Sequence, residues 1–446
     1  MKTIKLTLWV SLAFLTALWL AAEPDVFHAN GFFGFRSLMV QYSGIVAMGA
    51  MGMAMILALR PRWPEAWFGG LDKMYRLHKW LGITALIVAI AHWLWSQAPK
   101  WAVGWGWLAR PQRGPRAAPE STLEQSLRSL RGTAEWVGEW AFYAAVLLIA
   151  LALLNRFPYR LFLKTHRLLA ITYLILVFHT VVLTKFVYWS SPIGWVMALL
   201  IAGSVWAALV VLFRRVGAGR QVPGTIGALH YFPGVHALEV GIDVPQGWPG
   251  HKAGQFAFAT SDTAEGAHPY TIASAWNGTD HRITFVVKEL GDHTRRLRET
   301  LRVGQAVTVE GPYGCFTFDD SCPHQIWVGG GIGVTPFIAR MKFLAETPGR
   351  PRQTVHFFHT TSEYDEEALA KLTADAAASG VRFHVLIDSR DGRLDGDRIR
   401  AAVPEWRDAS VWFCGPSGFG QALRKDFAAH GMPVDRRFHQ ELFAMR

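Results

Sequence analysis

Six apolar stretches fill the first half of the chain, at roughly residues 5–22, 37–59, 77–96, 136–154, 164–184 and 192–213. Each is close to the ~20 residues a helix needs to cross the hydrocarbon core of a bilayer. Backbone amides find no water there, so such stretches fold as helices packed into a bundle. Beyond about residue 213, charged residues, Gly and Pro reach the density of a soluble protein. At 446 residues the chain is long for one domain. The first stretch has a signal-peptide look, because Lys2 and Lys5 precede an apolar run ending in Ala-Ala. Its length, and the five spans that follow it, make it a first membrane helix instead.

Lys and Arg near the helix ends set orientation. One side collects Lys2, Lys5, Arg60, Arg62, Lys73, Arg76, Arg156, Arg160, Lys164, Arg167, Arg214 and Arg215. The other has Arg36, Lys185 and a basic loop at 97–135 that includes Lys100, Arg110, Arg113, Arg116, Arg128 and Arg131. Long loops cross a membrane largely regardless of charge, so both termini are expected in the cytoplasm, as in a bacterial inner-membrane protein. The net charge of +11 then reflects topology and contact with membrane lipid. No Lys/Arg-rich run interleaved with aromatics offers a nucleic-acid face. Cys315, Cys322 and Cys414 all fall in the soluble half, which implies neither a disulfide framework nor a zinc site.

Four histidines lie inside the spans: His78, His92, His166 and His179. An ionisable side chain at membrane depth marks function by default, and a neutral imidazole is a natural axial ligand for haem iron. Two helices with two histidines each can clamp two haems at levels about 20 Å apart. The spacing of fourteen puts His78 and His92 on one helical face. The spacing of thirteen turns His166 and His179 away from each other on an ideal helix. Helix–helix hydrogen bonding is the simpler role for a single such pair, but two pairs matched in depth favour ligation.

"LHKWLG", "AHWLW", "KTHRLLAITY" and "FHTVV" resemble the ferric reductase/NADPH oxidase superfamily of transmembrane flavocytochromes b, including the unequal spacing. The resemblance implies that His78 pairs with His166 about an inner haem b, and His92 with His179 about an outer one. Family oxidases often carry a further histidine one turn past the outer ligand of the third helix. Here that position is Ser96, which weakens the case for an oxygen site of oxidase type.

From about 222 to 318, short alternating strands broken by Gly and Pro signal a small antiparallel barrel. In "HPYTIAS", Tyr270 can stack on an isoalloxazine face and Thr271 can bond its polar edge. Pro269 and Ser274 belong to the same string, and His268 could face a pyrophosphate. In "KELGDHTRRL", Arg295 or Arg296 could join His268, with Gly291 and Thr294 offering backbone N–H groups. Further on, "VGGGIGVTPF" follows a strand and opens a helix, a turn that lets amides approach a pyrophosphate. "VWFCGPSGFGQALRK" repeats that layout. Strands alternating with helices read as a doubly wound parallel sheet, with ligands outside the carboxyl ends of the strands.

"HPYTIAS", "GPYG", "GGGIGVTP" and "CGPSGFG", in that order, are similar to the ferredoxin–NADP reductase family. The resemblance implies FAD in a barrel domain (217–322) and a nicotinamide nucleotide in an α/β domain (323–446), after a six-helix bis-haem domain (1–216). The nucleotide would run along Gly329, Gly330, Gly331, Gly333, Thr335 and Pro336, with Cys414, Gly415 and Pro416 beside the nicotinamide. Phe443 would cover the flavin. NADPH is favoured over NADH by the resemblance, although "HTTSEYDEEAL" offers acids where a 2′-phosphate wants a base. Arg390 and Arg393 are the candidates for that contact.

The expected activity is electron conduction from cytoplasmic NAD(P)H through FAD and two haems to an extracytoplasmic acceptor. The acceptor is oxygen, giving superoxide, or a ferric chelate. A third reading is a non-enzymatic subunit that delivers electrons to an extracytoplasmic partner protein. Arg36, at the start of the second span, is expected at the outer leaflet. It either anchors the helix at the headgroups or pairs with a haem propionate or anionic acceptor, for which a planar fork is suited.

Overall fold

The structure is a computed structural model that describes residues 2–441 apart from 30, 111–118, 120, 155, 246 and 348–352. The expectations attached to Phe443, Arg113 and Arg116 fall outside the described residues. Residues group into two compact units. One runs to Val216 without Gly69–Asp72, and the other takes those residues together with Gly217 onward.

The first unit is helical. Its long helices are α1 (Lys2–Ala22), α2 (Gly31–Ala58), α3 (Leu71–Gly104), α4 (Arg131–Leu153), α5 (Tyr159–Leu183) and α6 (Pro192–Leu212). Among the described residues, these six are long and apolar enough to cross a membrane. Several outrun the apolar stretches, because turn residues rather than hydropathy end a helix. Thus α5 starts directly after Pro158, whose fixed φ suits a helix start, and α3 continues through Pro99 to Gly104. The basic loop contains a short helix, Thr122–Ser129, capped by the Ser121 hydroxyl accepting from the Glu124 amide at 3.2 Å. Lipid supplies no hydrophobic drive between helices, so small residues must let them approach. Buried Ser43, Ala47, Gly49, Ala50, Gly52 and Ala54 do this on α2. A Cβ on Gly49 would come within 2.5 Å of Leu15 Cδ1.

The second unit opens with β1 (Gln221–Phe232), β2 (Ala237–Asp243), β3 (Phe256–Thr260), β4 (His268–Thr271), β5 (Arg282–Lys288), α7 (Asp292–Thr300) and β6 (Ala306–Tyr313). The strands form one antiparallel sheet in the order β4-β3-β6-β1-β2-β5. An Ile272–Phe285 bridge joins its two ends, so the sheet closes on itself. Inward-facing Val222, Val240, Ile242, Ile272, Ile283, Phe285 and Val309 fill the interior.

A parallel sheet follows, from β7 (His324–Gly330), α8 (Thr335–Glu346), β8 (Thr354–Thr361), α9 (Glu366–Ser379), β9 (Arg382–Ile387), α10 (Gly396–Ala402), β10 (Ala409–Cys414), α11 (Ser417–Ala429) and β11 (Phe438–Gln440). Its order is β11-β10-β7-β8-β9. The chain steps from β7 outward to β9 and then returns to the other side of β7. The order therefore reverses between β7 and β10, which is where such sheets bind ligands.

Burial holds His251, His356 and His359 of this unit at about 4, against an ordinary histidine value of 6.5. They stay neutral in the fold, while the unfolded chain takes up protons below its own higher value. Stability from these rings is complete above about pH 6.5 and is lost as pH falls toward 4. A fragment from Gly217 to Arg446 should show a urea midpoint that drops steadily across this window. A midpoint independent of pH there would contradict the buried neutral rings.

Candidate functional site

The four membrane histidines form two facing pairs. His78 and His166 have ring centres 5.8 Å apart at an interplanar angle of 67°, and His92 and His179 are 6.3 Å apart at 80°. A metal–imidazole bond of about 2 Å on each side of one ion calls for ring centres roughly 6 Å apart, so both gaps suit an iron. Three of the rings are aimed by backbone. Nδ1 of His78 donates to the Ala54 carbonyl at 2.9 Å, that of His92 to Val40 at 3.0 Å and that of His179 to Ala134 at 2.8 Å. Each bond places the proton on Nδ1 and leaves Nε2 with a lone pair for a metal. Helices α2 and α4 thus act as the supports for the ligand helices α3 and α5.

The spacing of thirteen is absorbed by side-chain direction. His166 lies back along its own helix, stacked on Phe162 at 5.0 Å and 23°, whereas His179 reaches across to α4. Nδ1 of His166 is buried without a hydrogen-bond partner among the described residues.

Two glycines make room for the outer pair. A Cβ on Gly138 would sit 1.9 Å from Nδ1 of His179, and one on Gly44 would sit 3.3 Å from Cε1 of His92. Both rings open onto a cavity of about 2240 Å³, well above the roughly 300–1,000 Å³ of ordinary ligand pockets. Arg36 lines it too, together with Trp93, Ser96, Glu139 and Phe142. The Arg36 guanidinium is committed to backbone, with Nε on the Trp95 carbonyl at 2.9 Å and Nη2 on that of Ser96 at 3.0 Å.

In the barrel, Tyr270 packs against Phe285, and the buried Thr271 hydroxyl has no partner among the described residues. An orphaned hydroxyl beside an aromatic ring fits the polar edge of a flavin. Pro269 sits on β4, where a missing amide is tolerated at a sheet edge. His268 stacks on His293 with ring centres 3.8 Å apart, and burial, reinforced by that neighbour, lowers its pKa to about 4. Ligating atoms of Glu265, His268 and His293 lie within 4.8 Å of one another, but parallel rings suit stacking better than chelation of one ion.

Other expected flavin contacts are used inside the protein. Ser274 Oγ accepts from the Thr284 amide, and Thr294 Oγ1 accepts from the amides of Leu290 and Gly291 at the start of α7. Arg296 pairs with Glu265 at 3.0 Å, whereas the neighbouring Arg295 is exposed.

At the switch between β7 and β10, two turns are pressed together. A Cβ on Gly333 would lie 2.2 Å from the Cys414 carbonyl oxygen, one on Gly330 2.9 Å from Pro416 Cδ, and one on Gly415 3.1 Å from Gly330 Cα. Gly331 has a φ of 54°, which glycine adopts without strain. Gly329 is the next-to-last residue of β7, and its carbonyl accepts from His359 Nδ1 at 3.1 Å. Thr335 and Pro336 open α8, where Pro lacks only an amide that would be orphaned anyway. Cys414 is fully buried, and that burial pushes its thiol well above the ordinary value, so it is a neutral apolar group rather than a thiolate. After β9, Arg390 pairs with Asp391 at 3.0 Å, and Arg393 is exposed on the same turn.

Sequence reading missed the supports: the carbonyls of Val40, Ala54 and Ala134, the partnership of His293 with His268, and Gly44 and Gly138. Only the glycines left a signal, as small residues within apolar spans.

Residues 43–177 match the family described as "Ferric reductase like transmembrane component", a stretch that holds His78, His92 and His166. Residues 232–317 match an FAD-binding domain family and hold His268–Ser274 and Gly291–Arg296. The chain thus joins a ferric reductase-like transmembrane component to an FAD-binding domain. Among curated relatives, a flavohemoprotein of Burkholderia sp. (strain TH2) is 27% identical over 185 residues, covering 39% of this chain and 46% of that protein. An NADPH oxidoreductase of Mycobacterium tuberculosis is 26% identical over 258 residues, covering 55% and 63%. The chain thus spans about half the length of the curated relatives it matches. A solved FAD/NAD binding domain of nitric oxide dioxygenase from Vibrio cholerae is 20% identical at a TM-score of 0.43, covering 50% of this chain and 99% of that one.

The glycine contacts make two contrasts. Gly138→Ala should displace the His179 ring and lower stability by about 1–3 kcal/mol through overpacking, whereas Gly44→Ala should be tolerated. Thermal unfolding in detergent ranks them, and equal effects would contradict the packing. Gly333→Ala should cost nicotinamide-nucleotide affinity more than Gly331→Ala, because only its Cβ strikes backbone. Nucleotide titration of the two variants checks the order.

Proposed function

We propose that the protein is a transmembrane oxidoreductase that passes electrons from cytoplasmic NAD(P)H through FAD and two b-type haems to an extracytoplasmic acceptor. The observation that carries this reading is the pair of facing imidazoles at each of two levels, with Nδ1 of three rings tied to helix carbonyls. That arrangement fits two six-coordinate irons, with His78 and His166 on the inner one and His92 and His179 on the outer one. When bound, the flavin and haems supply the redox chemistry, converting a two-electron hydride donor into single electrons and carrying them across the bilayer.

The chain's own residues bind, orient and exclude water. Tyr270 and Thr271 hold the flavin ring, while His268 and Arg295 face its pyrophosphate. The glycine turn from Gly329 to Gly333, with Thr335 and Pro336 opening α8, receives the nucleotide pyrophosphate through backbone amides. Cys414, Gly415 and Pro416 shape a close approach for the nicotinamide. The neutral thiol of Cys414 is suited to packing against a ring and not to covalent chemistry.

NADPH is the proposed donor, with Arg390 contacting the 2′-phosphate and Arg393 on the same turn in support. The acceptor is oxygen or a ferric chelate entering the cavity that His92 and His179 open onto. The soluble unit and both termini face the cytoplasm of a bacterial cell.

Purified protein should carry two low-spin haems per chain. His92→Ala or His179→Ala should leave one of them and preserve flavin reduction by NADPH, because neither histidine belongs to the flavin-binding residues. Haem quantification with stopped-flow flavin reduction makes the test, and haem-saturated wild type that binds none would end the reading. Arg390→Ala should raise KM for NADPH about tenfold or more, from the loss of a charge-assisted contact, while leaving KM for NADH unchanged. Equal changes for both nucleotides would move the phosphate contact elsewhere.

A further inference from the structure

Pro99 lies inside α3, five residues before its end. Proline has no amide hydrogen, so the carbonyl four residues earlier loses its helical partner. That carbonyl belongs to Trp95. Broken helices are tolerated in a bilayer only where another group satisfies the freed backbone.

Arg36 supplies that group from the neighbouring helix. Its Nε donates to the Trp95 carbonyl at 2.9 Å, and its Nη2 donates to the next carbonyl, Ser96, at 3.0 Å. The fork spans two successive carbonyls, which the single ammonium of a lysine does not match.

The contact belongs to a longer seam. Arg36, Val40 and Ser43 stand at i, i+4 and i+7 on α2, and therefore on one face. They meet Trp95, Ser96 and His92 on α3. The Val40 carbonyl accepts from His92 Nδ1 at 3.0 Å, and Ser43 Oγ lies 3.1 Å from the same nitrogen. Trp95 is three residues from His92, a rise of about 4.5 Å. One turn of α2 thus holds the His92 ring, and the turn before it holds the backbone just beyond that ring.

We propose that Arg36 is a positioning residue, whose guanidinium replaces the backbone donor that Pro99 removes and so holds the outer turn of α3, with His92, against α2. The proline leaves one ladder bond unmade near the cavity, and the arginine keeps that gap from loosening the histidine. This role differs from pairing with a propionate or with an incoming anion, because both observed bonds go to backbone. It rests on the packing of α2 against α3 and not on the proposed electron path.

The test is a cycle of full-length wild type, Arg36→Ala, Pro99→Ala and the double variant, purified in detergent. Alanine at 99 restores the amide that bonds the Trp95 carbonyl, so the arginine becomes dispensable. Arg36→Ala should lower the thermal midpoint by roughly 2–4 °C or more and should perturb the half of the low-spin spectrum that His92→Ala removes. Neither change should occur when Arg36→Ala is made in the Pro99→Ala background. Should Arg36→Ala alone fail to fold, recovery of folded protein by the double variant is the same result. The proposal is overturned if Arg36→Ala has no effect, if its effect is equally large with alanine at 99, or if the double variant fails as the single one does. Thermal unfolding reads the cycle whether or not haem is bound, so a failure of the haem reading stays distinct from a failure of this one.

Discussion

A carbonyl of one helix accepting the Nδ1 proton of a histidine on the next is the interaction on which the membrane half depends. Helix carbonyls are already engaged along their own helix, but each has a second lone pair. A neutral imidazole inside an apolar bundle can use it at little cost. The bond fixes the tautomer and points Nε2 into the gap between helices. It also dictates packing, because the donor and acceptor helices must come close. The small residues of α2 and the glycine at 138 on α4 are where that closeness is accommodated. Histidine and supporting carbonyl recur at both depths, and at the outer one Gly44 and Gly138 make the room.

The soluble half solves a different problem with the same economy. A nucleotide pyrophosphate needs backbone amides brought near it, and a side chain at the turn would keep them away. The two turns ending β7 and β10 are packed backbone to backbone, with Gly330, Gly333 and Gly415 in mutual contact or against Cys414 and Pro416. The buried Cys414 thiol fits this picture as a small neutral filler. Its position at a strand end is set by the parallel pairing of Cys414 with Gly329.

Much of this was legible in the sequence, and the limits of legibility are physical. The histidines stood out because ionisable groups are costly in a bilayer, and the glycine turn stood out because strand, turn and helix follow in order. The thirteen-residue spacing did not resolve, since helical geometry fixes Cβ directions and not ring directions. In the structure, the stacking of His166 on Phe162 and the reach of His179 to Ala134 account for it. Arg36 was read as facing headgroups or a ligand, because a partner carbonyl has no side-chain signature. Gly291 was expected to offer its amide to a flavin, yet that amide donates to Thr294 Oγ1, and Ser274 Oγ accepts from the Thr284 amide. Local hydrogen bonds of this kind depend on where strands and turns meet, which composition does not encode.

The central claim is that electrons cross the bilayer through this one chain. Full-length protein, loaded with FAD and haem, can be reconstituted in sealed vesicles with a membrane-impermeant ferric chelate trapped inside. NADPH is then added outside, where it reaches only molecules whose soluble unit faces outward. The account predicts steady reduction of the trapped chelate, abolished when both His92 and His179 are replaced. Flavin reduction without any reduction of the trapped chelate, together with fast reduction of a chelate added outside, would contradict it.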